Sequence, residues 1–284
     1  MQESLGTYTI ILPVSLLLVV FFFFPLTIIF LYSFSATDDL SQFTFTVQNY
    51  LDVLGNPSKL RMFLNSIIYS TATVIASFAL AFPLAYFVSK KTSRVTQAAL
   101  IALLIAPLFM SMLIRMFGWR LFFLKHGLLN QMLGYFGLSS VEGLTYMGPM
   151  AIFGMVYIYF PFILFPIYVS VSNIDDEIIQ AARDLGGSSW RVMRQIVLKL
   201  ARPGIAIGAA LVFSLSFGDT NASEILVGNN VQLVGNMEKF SFGYAQDWLV
   251  GSAESVLMML FLLLVIVPVL KRTEIEEMLS GMAE

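Results

Sequence analysis

The stretch SNIDDEIIQAARDLGGSSWRVMRQIVLKLARPG, residues 172–204, decides how the chain is organised. It is too polar to cross a membrane, yet its apolar residues recur at helical spacing. Ser172 and Asp175 predict a capped start for a short helix, because their side-chain oxygens can accept hydrogen bonds from orphan backbone N–H groups. Gly186 and Gly187 predict its end, since glycine readily adopts the left-handed conformation found just after a helix.

A second helix is predicted directly after the glycine pair, with Ser188 or Ser189 as its cap. Its apolar side chains recur at intervals of three and four and predict one packed face: Trp190, Met193, Val197 and Leu200. The result is a helix–glycine–helix elbow over residues 172–203. Two interpretations of the elbow stay open at this point. It is either an amphipathic connector lying on lipid headgroups or a docking surface for a soluble partner.

On both sides of this elbow the chain is strongly apolar. Hydrophobic residues make up 58% of the 284 residues, charged residues only 12%, and the mean hydropathy is +0.82. Soluble domains carry about 25% charged residues, so composition predicts an all-α polytopic membrane protein. A spanning helix needs about 20 apolar residues. Six stretches meet that length within a single transmembrane domain, 1–284: 8–33, 63–88, 97–117, 147–171, 204–224 and 251–270.

The basic residues predict the orientation of these spans. With the N-terminus inside, ten of the 16 Lys and Arg residues fall on the cytoplasmic side and six on the other. An excess of Lys and Arg marks cytoplasmic segments. We therefore expect both termini and the 172–203 elbow to be cytoplasmic. The first stretch lacks the basic start of a cleaved signal peptide, so we expect it to be retained as a span.

Composition also excludes several chemistries on this chain. It has no Cys and one His, which argues against thiol catalysis and Cys/His metal sites. No Gly-Lys dipeptide occurs, so there is no phosphate-binding loop of the Walker A type. A net charge of −2 gives no basic footprint for nucleic acid. We expect no catalytic residue, metal or cofactor on this chain, and any ATP and Mg²⁺ on a partner.

One motif within the elbow resembles the EAA loop of bacterial ABC-importer permeases. It runs Gln180-Ala181-Ala182, three residues, Gly186, nine residues, Ile196, one residue, Leu198. The family has Glu where this chain has Gln180, and Pro where it has Lys199. The resemblance implies a type I ABC-importer permease fold in a bacterial inner membrane. It also implies a coupling helix that docks on an ATPase through these residues: Gln180, Ala181, Ala182, Asp184, Leu185, Gly186 and Gly187.

Further stretches are similar to the spermidine/putrescine branch of that family. They include Leu113–Leu133, with Arg115 and Trp119, and Phe217-Gly218-Asp219. The resemblance implies a small-solute importer, with a polyamine as the first expectation for its cargo. Iron(III), opines, phosphonates and thiamine stay open as cargoes of related branches. Its implied partners are a second, different permease subunit, two cytoplasmic ATPases, a periplasmic binding protein and membrane lipid.

Ionisable residues within spans are costly and therefore suggest function. Asp219 and Glu224, near the outer end of the fifth span, are candidate contacts for ammonium groups, and the alternative for both is hydration at the interface. For Glu254 and Arg115 we expect hydration at the interface. Aromatic ring faces attract cations, which adds three candidates beside Pro161 to the substrate path: Tyr157, Tyr159 and Phe160.

Two other classes of protein fit the sequence less well. A secondary transporter or channel predicts charged residues deep in several spans, and these spans are almost free of charge at mid-depth. A membrane-embedded enzyme predicts a cluster of His or carboxylate residues at one face, which the sequence does not offer. The ABC permease is therefore the favoured interpretation.

Overall fold

The computed structural model describes residues 13, 15–141 and 143–271. The start of the first predicted span and the predicted cytoplasmic termini lie outside these residues. The described chain is helical, and its one β-pairing is an isolated bridge between Ser35 and Phe45. In chain order the helices are α1 Ser15–Ser33, α2 Gln48–Leu54, α3 Pro57–Lys91, α4 Arg94–Ile105, α5 Met112–Phe123, α6 Leu128–Tyr135, α7 Gly148–Ser172, α8 Asp176–Asp184, α9 Ser189–Leu200, α10 Arg202–Phe217, α11 Val234–Lys239 and α12 Trp248–Lys271.

Short turns of other helical types join or interrupt these helices. Three are 3-10 turns: Leu40–Gln42, Ala106–Phe109 and Leu144–Tyr146. Four are π-helical: Val19–Phe23 within α1, Met193–Val197 within α9, Ala222–Leu226 and Phe240–Tyr244.

Four helices, α1, α3, α7 and α12, are each long and apolar enough to cross a membrane. Two bent pairs pass the same test, which gives up to six spans and confirms the all-α membrane class. The predicted span 97–117 is not one helix, because the chain bends by 95° between Arg94–Phe109 and Met112–Tyr135. The backbone tightens to a 3-10 turn at Pro107, which has no N–H for an α-helical hydrogen bond.

The predicted fifth span, 204–224, is also wrong as one continuous helix. Helix α10 ends at Phe217, and a π-helical turn follows at Ala222–Leu226. Between them the Asp219 carboxylate accepts a hydrogen bond from the Ala222 N–H and starts the new turn. The chain is also bent by 71° between α9 and α10.

The chain divides into two compact units, residues 1–61 with 237–261, and residues 62–236 with 262–284. In the second unit α7 packs closely against α10. A Cβ at Gly208 would lie 2.9 Å from Cγ1 of Ile163, so the glycine lets the two backbones approach. Helix α3 buries a face of small side chains in the same unit: Ser66, Ser70, Thr73, Ser77, Ala81 and Ala85. Close packing of this kind replaces the hydrophobic drive that lipid does not supply.

In the first unit, hydrogen bonds and aromatic contacts hold the loop after α1 in place. The side-chain amide of Asn49 donates hydrogen bonds of 3.1 Å and 2.9 Å to the carbonyls of Ser33 and Ser35. The ring of Phe34 packs on Phe45 and Tyr50, with ring centres 5.5 Å and 4.9 Å apart. These contacts hold α2 beside the end of α1.

Two details of the predicted elbow are wrong. Ser172 does not cap the short helix, because α7 continues through Ser172 and the Ser172 hydroxyl pairs with that of Ser89 at 3.1 Å. Helix α8 begins at Asp176, and the side chain of Asp175 makes no capping hydrogen bond.

The packed face of α9 also differs from the prediction. Val197 is buried and Met193 packs against the core as predicted, and Val192 is buried as well, but Trp190 is 65% exposed and Leu200 is 48% exposed. The π-helical turn Met193–Val197 shifts the register within α9, so a fixed α-helical period does not describe which side chains pack.

Candidate functional sites

The short helix of the elbow ends in a Schellman motif. Gly186 has a φ of +84°, and its N–H donates to the carbonyl of Arg183 at 2.9 Å. The N–H of Gly187 donates to the carbonyl of Ala182 at 3.1 Å, which completes the pair of bonds that define the motif. The predicted glycine stop is confirmed. A Cβ at Gly187 would lie 2.6 Å from the Ala182 carbonyl oxygen, so this position excludes a side chain.

The tip of this elbow exposes large apolar side chains. Leu185 is 90% exposed, and Trp190, across the turn, is 65% exposed. A Cβ added at Gly186 would have no described atom within 4 Å. Three more of the predicted coupling residues are exposed: Gln180, Ala181 and Asp184. Ala182 and Gly187 are half-buried. Apolar side chains held out by a fixed turn are typical of a contact surface.

The elbow is fastened to the end of α3. The ammonium of Lys90 donates to the carbonyl of Ile174 and pairs with the carboxylate of Asp176 at 3.0 Å. Arg183 reaches the Tyr86 hydroxyl at 3.5 Å. Polar contacts of Lys90 and Tyr86 therefore link the elbow to α3.

Asp219 is buried and fully engaged. The residue lies in the turn after α10 and is only 3% exposed. Oδ2 accepts a 2.8 Å hydrogen bond from the Tyr159 hydroxyl of α7, and Oδ1 accepts one of 2.8 Å from the Ala222 N–H. Of the two interpretations left open by the sequence, hydration at an interface is wrong for Asp219.

Glu224 lies in the next helical turn and belongs to a second polar group. The Asn236 amide donates to Glu224 Oε1 at 3.2 Å. The same Asn236 uses its oxygen to accept from the Ser223 hydroxyl at 2.8 Å and from the Leu233 N–H at 2.9 Å. Glu224 is half-buried. In the second unit, Tyr159 therefore contacts Asp219, and Glu224 lies in the π-helical turn that follows Asp219.

Tyr157 and Phe160 belong to a different site. They line a cavity of about 380 Å³ that also contains Arg115, whose guanidinium carbon is 5.9 Å from the centre of the Tyr157 ring. Arg115 is only 9% exposed, so the expectation that it is hydrated at the interface is wrong. Helix α5 turns inward after the break that precedes it, which carries Arg115 against α7 rather than toward water.

The first unit contains a buried ion pair. The Lys59 ammonium lies 2.7 Å from Oε1 of Glu254, a residue with no exposed surface, so the expectation that Glu254 is hydrated is wrong. Glu238, on α11, lies nearby. Burial raises the pKa of Glu238, the hydrogen bond with Ser255 lowers it, and the charge of Glu254 raises it.

Sequence reasoning did not single out Lys59 or Asn236 as functional residues. From sequence Lys59 is predicted to lie in a loop, and no local pattern indicates that it pairs with Glu254, almost two hundred positions later. The buried small face of α3 repeats every three to four residues, so helical periodicity could have indicated it. Asn236 carried no signal, because its role depends on contacts that the fold creates.

Comparisons with known proteins agree with this architecture. Residues 53–272 match the family model described as binding-protein-dependent transport system inner membrane component. The spermidine/putrescine transport system permease protein PotB of Escherichia coli (strain K12) is 33% identical over 242 residues, covering 84% of this chain and 87% of that protein. The protein of the same name from Haemophilus influenzae (strain ATCC 51907 / DSM 11121 / KW20 / Rd) is 31% identical over 84% of this chain.

A solved structure shares the fold. A chain of a bacterial alginate ABC transporter, crystallised in complex with an alginate pentasaccharide-bound periplasmic protein, superposes with a TM-score of 0.76. The match covers 94% of this chain and 93% of that chain at 15% sequence identity. Together with the family match, these findings show that the chain belongs to the binding-protein-dependent transport system inner membrane components and is the permease component of an ABC importer.

Proposed function

We propose that this chain is one of two permease subunits of an importer whose cargo is a polyamine of the spermidine/putrescine type. The support for this cargo is the similarity to relatives named for spermidine/putrescine transport, which extends over most of both chains. A different cargo on the same fold is the alternative, because identity near one third leaves the substrate path free to change.

The proposed site of ATPase docking is the elbow tip. The observation that carries it is the exposed Leu185 beside Gly186, held out by a Schellman turn and anchored to α3 through Lys90. This chain needs no cofactor for that role, because ATP and Mg²⁺ bind to the partner ATPases. Docking of two ATPases requires the elbow to be cytoplasmic, with both termini on the same side, as the distribution of basic residues predicts.

We place the proposed cation path at Asp219, Glu224 and Tyr159. A polyamine carries ammonium groups, which a carboxylate stabilises through charge-assisted hydrogen bonds. We omit Tyr157 and Phe160, because the guanidinium of Arg115 shares their cavity and would repel an ammonium group. In this conformation Asp219 is closed off by Tyr159, so the path must open before the carboxylate can meet cargo.

The proposed mechanism is alternating access. Closure of the two ATPases on ATP would draw the elbows of the two permeases together, and the Lys90 contacts would pass this movement to α3. A periplasmic binding protein would deliver cargo to the outward-open path. Hydrolysis and separation of the ATPases would return the path to the inward-open state.

Reconstituted transport tests this proposal. The assembled complex, copurified with its partner permease and ATPase and placed in liposomes with its binding protein, should import labelled spermidine or putrescine only when ATP is present. Import of another solute with no polyamine uptake would reject the cargo and leave the importer intact. Purification of the permease without any ATPase would contradict the docking role.

A further inference from the structure

The cavity around Arg115 lies in the second unit and has no role in the proposed cation path. Helices α3, α4, α5 and α7 and the 3-10 turn Ala106–Phe109 enclose its volume of about 380 Å³. Its walls are almost entirely apolar or aromatic, and they include Leu80, Leu104, Pro107, Trp119, Phe153 and Phe160. Arg115 is the one charged side chain among the described residues that line it.

Arg115 forms no ion pair with any carboxylate in the part of the chain that the structure describes. Its Nε is buried and has no hydrogen-bond partner within the described ranges. The Tyr157 ring, 5.9 Å away, attracts the cation but accepts no strong hydrogen bond from the guanidinium. A buried charge without a partner is costly, and a guanidinium presents a planar fork of donors suited to phosphate or carboxylate oxygens. The site therefore favours an anion.

The rim of the cavity indicates what kind of anion. Leu80 is 58% exposed and Leu103 is 69% exposed, so the rim presents apolar surface on helices that match membrane spans. A small inorganic anion gains nothing from such walls, and a polyamine has the same charge sign as Arg115. An amphiphile with a negative headgroup and a hydrocarbon chain matches both parts of the site.

We propose that this cavity binds an anionic phospholipid. Its phosphate accepts hydrogen bonds from the Arg115 guanidinium, and an acyl chain lies along Leu80 and Leu103. Bound lipid neutralises the buried charge and fills the space between α5 and α7. The site is independent of the cargo and of the Asp219 path.

Native mass spectrometry of the assembled transporter in detergent tests the site. Phosphatidylglycerol and phosphatidylcholine with identical acyl chains are titrated in parallel, and phosphatidylglycerol should bind more tightly. Arg115→Gln should weaken phosphatidylglycerol binding about tenfold, the effect of losing one charge-assisted contact. Arg120→Gln is the matched control, because Arg120 lies on the same helix, donates to the Ile225 carbonyl at 2.8 Å and does not line the cavity.

A second variant keeps the charge of Arg115 and reduces the volume of the cavity. Val156→Phe narrows the cavity while leaving Arg115 in place, and it should also weaken phosphatidylglycerol binding even if Arg115→Gln fails to assemble. Equal binding of the two lipids, or phosphatidylglycerol binding that survives both substitutions, would overturn the proposal. So would displacement of the lipid by inorganic phosphate alone, or a photo-crosslinker at Leu103 that captures the partner permease instead of lipid.

Discussion

The Tyr159 hydroxyl donates a hydrogen bond of 2.8 Å to Asp219 Oδ2, which joins α7 to the turn after α10 across 60 residues of sequence. Asp219 is 3% exposed, and its other oxygen is held by the Ala222 N–H. The same carboxylate therefore links α7 to the chain after α10 and starts the π-helical turn Ala222–Leu226. Any cation that reaches Asp219 must replace the Tyr159 contact.

Removing the charge of Asp219 is the sharpest test of this site. Asp219→Asn keeps an oxygen that can accept from the Ala222 N–H, so the turn Ala222–Leu226 should still form. If Asp219 binds ammonium groups, the loss of a charge-assisted contact should lower polyamine uptake roughly tenfold or more. The measurement is initial uptake rate in liposomes at equal amounts of assembled complex.

The aromatic partner has a matched control on the same helix. Tyr159→Phe removes the hydroxyl that Asp219 accepts from, whereas Tyr157→Phe removes a hydroxyl outside that contact. We expect only Tyr159→Phe to change the substrate concentration that gives half-maximal uptake. If the two substitutions had equal effects, the Tyr159–Asp219 hydrogen bond would have no specific role in transport.

The elbow prediction separates docking from folding. A Cβ added at Gly186 meets no described atom within 4 Å, so we expect the main cost of Gly186→Trp within this chain to be the strain of a positive φ, on the order of 1 kcal/mol. We expect the variant to insert and fold but to lose its ATPase during purification and to stop transporting. Gly137→Trp is the control, because Gly137 also has a positive φ, +72°, with open space around it.

Retention of the ATPase and of full transport by Gly186→Trp would show that the elbow tip is not the docking surface. Loss of the ATPase by both variants would point to strain rather than to a lost contact. Gly187 would be a poor choice for this test, since a side chain there collides with the Ala182 carbonyl.

The buried ion pair between Lys59 and Glu254 predicts a stability effect. Glu254→Gln leaves the Lys59 ammonium, whose side chain is 20% exposed, without its partner, so we expect a loss below the roughly 3–5 kcal/mol of a fully buried pair. The double variant Lys59→Met/Glu254→Gln should recover much of that loss, because no uncompensated charge remains. Thermal unfolding of the purified complex in detergent measures both. A double variant no more stable than Glu254→Gln would mean that the two side chains are not coupled.

Topology is tested by reporter fusions. Fusions at Asp39, Ser93, Lys125, Gly187, Lys239 and the C-terminus should report outside, inside, outside, inside, outside and inside in turn. The reason is the excess of Lys and Arg on one set of connections. An external signal at Gly187 would be incompatible with ATPase docking at the elbow.

The sequence by itself determined the membrane class, the approximate positions of the spans and the glycine turn of the elbow. These follow from local chemistry: an apolar run must lie in lipid, and a helix that ends at Gly186 does so because glycine tolerates a φ of +84°. The candidate carboxylate Asp219 was also visible, because charge within an apolar stretch is rare.

Only the tertiary structure decided where helices bend and which side chains meet. Pro107 signals a possible break, but the 95° turn depends on how α5 packs. Tyr157 and Tyr159 are two residues apart on α7, so they point in different directions, one toward Arg115 and the other toward Asp219. The sequence predicted hydration for both Glu254 and Arg115, and both are buried: Glu254 pairs with Lys59, and Arg115 Nε has no hydrogen-bond partner among the described residues. Such pairings join residues far apart in sequence, and the free energy that selects them comes from packing that no local pattern encodes.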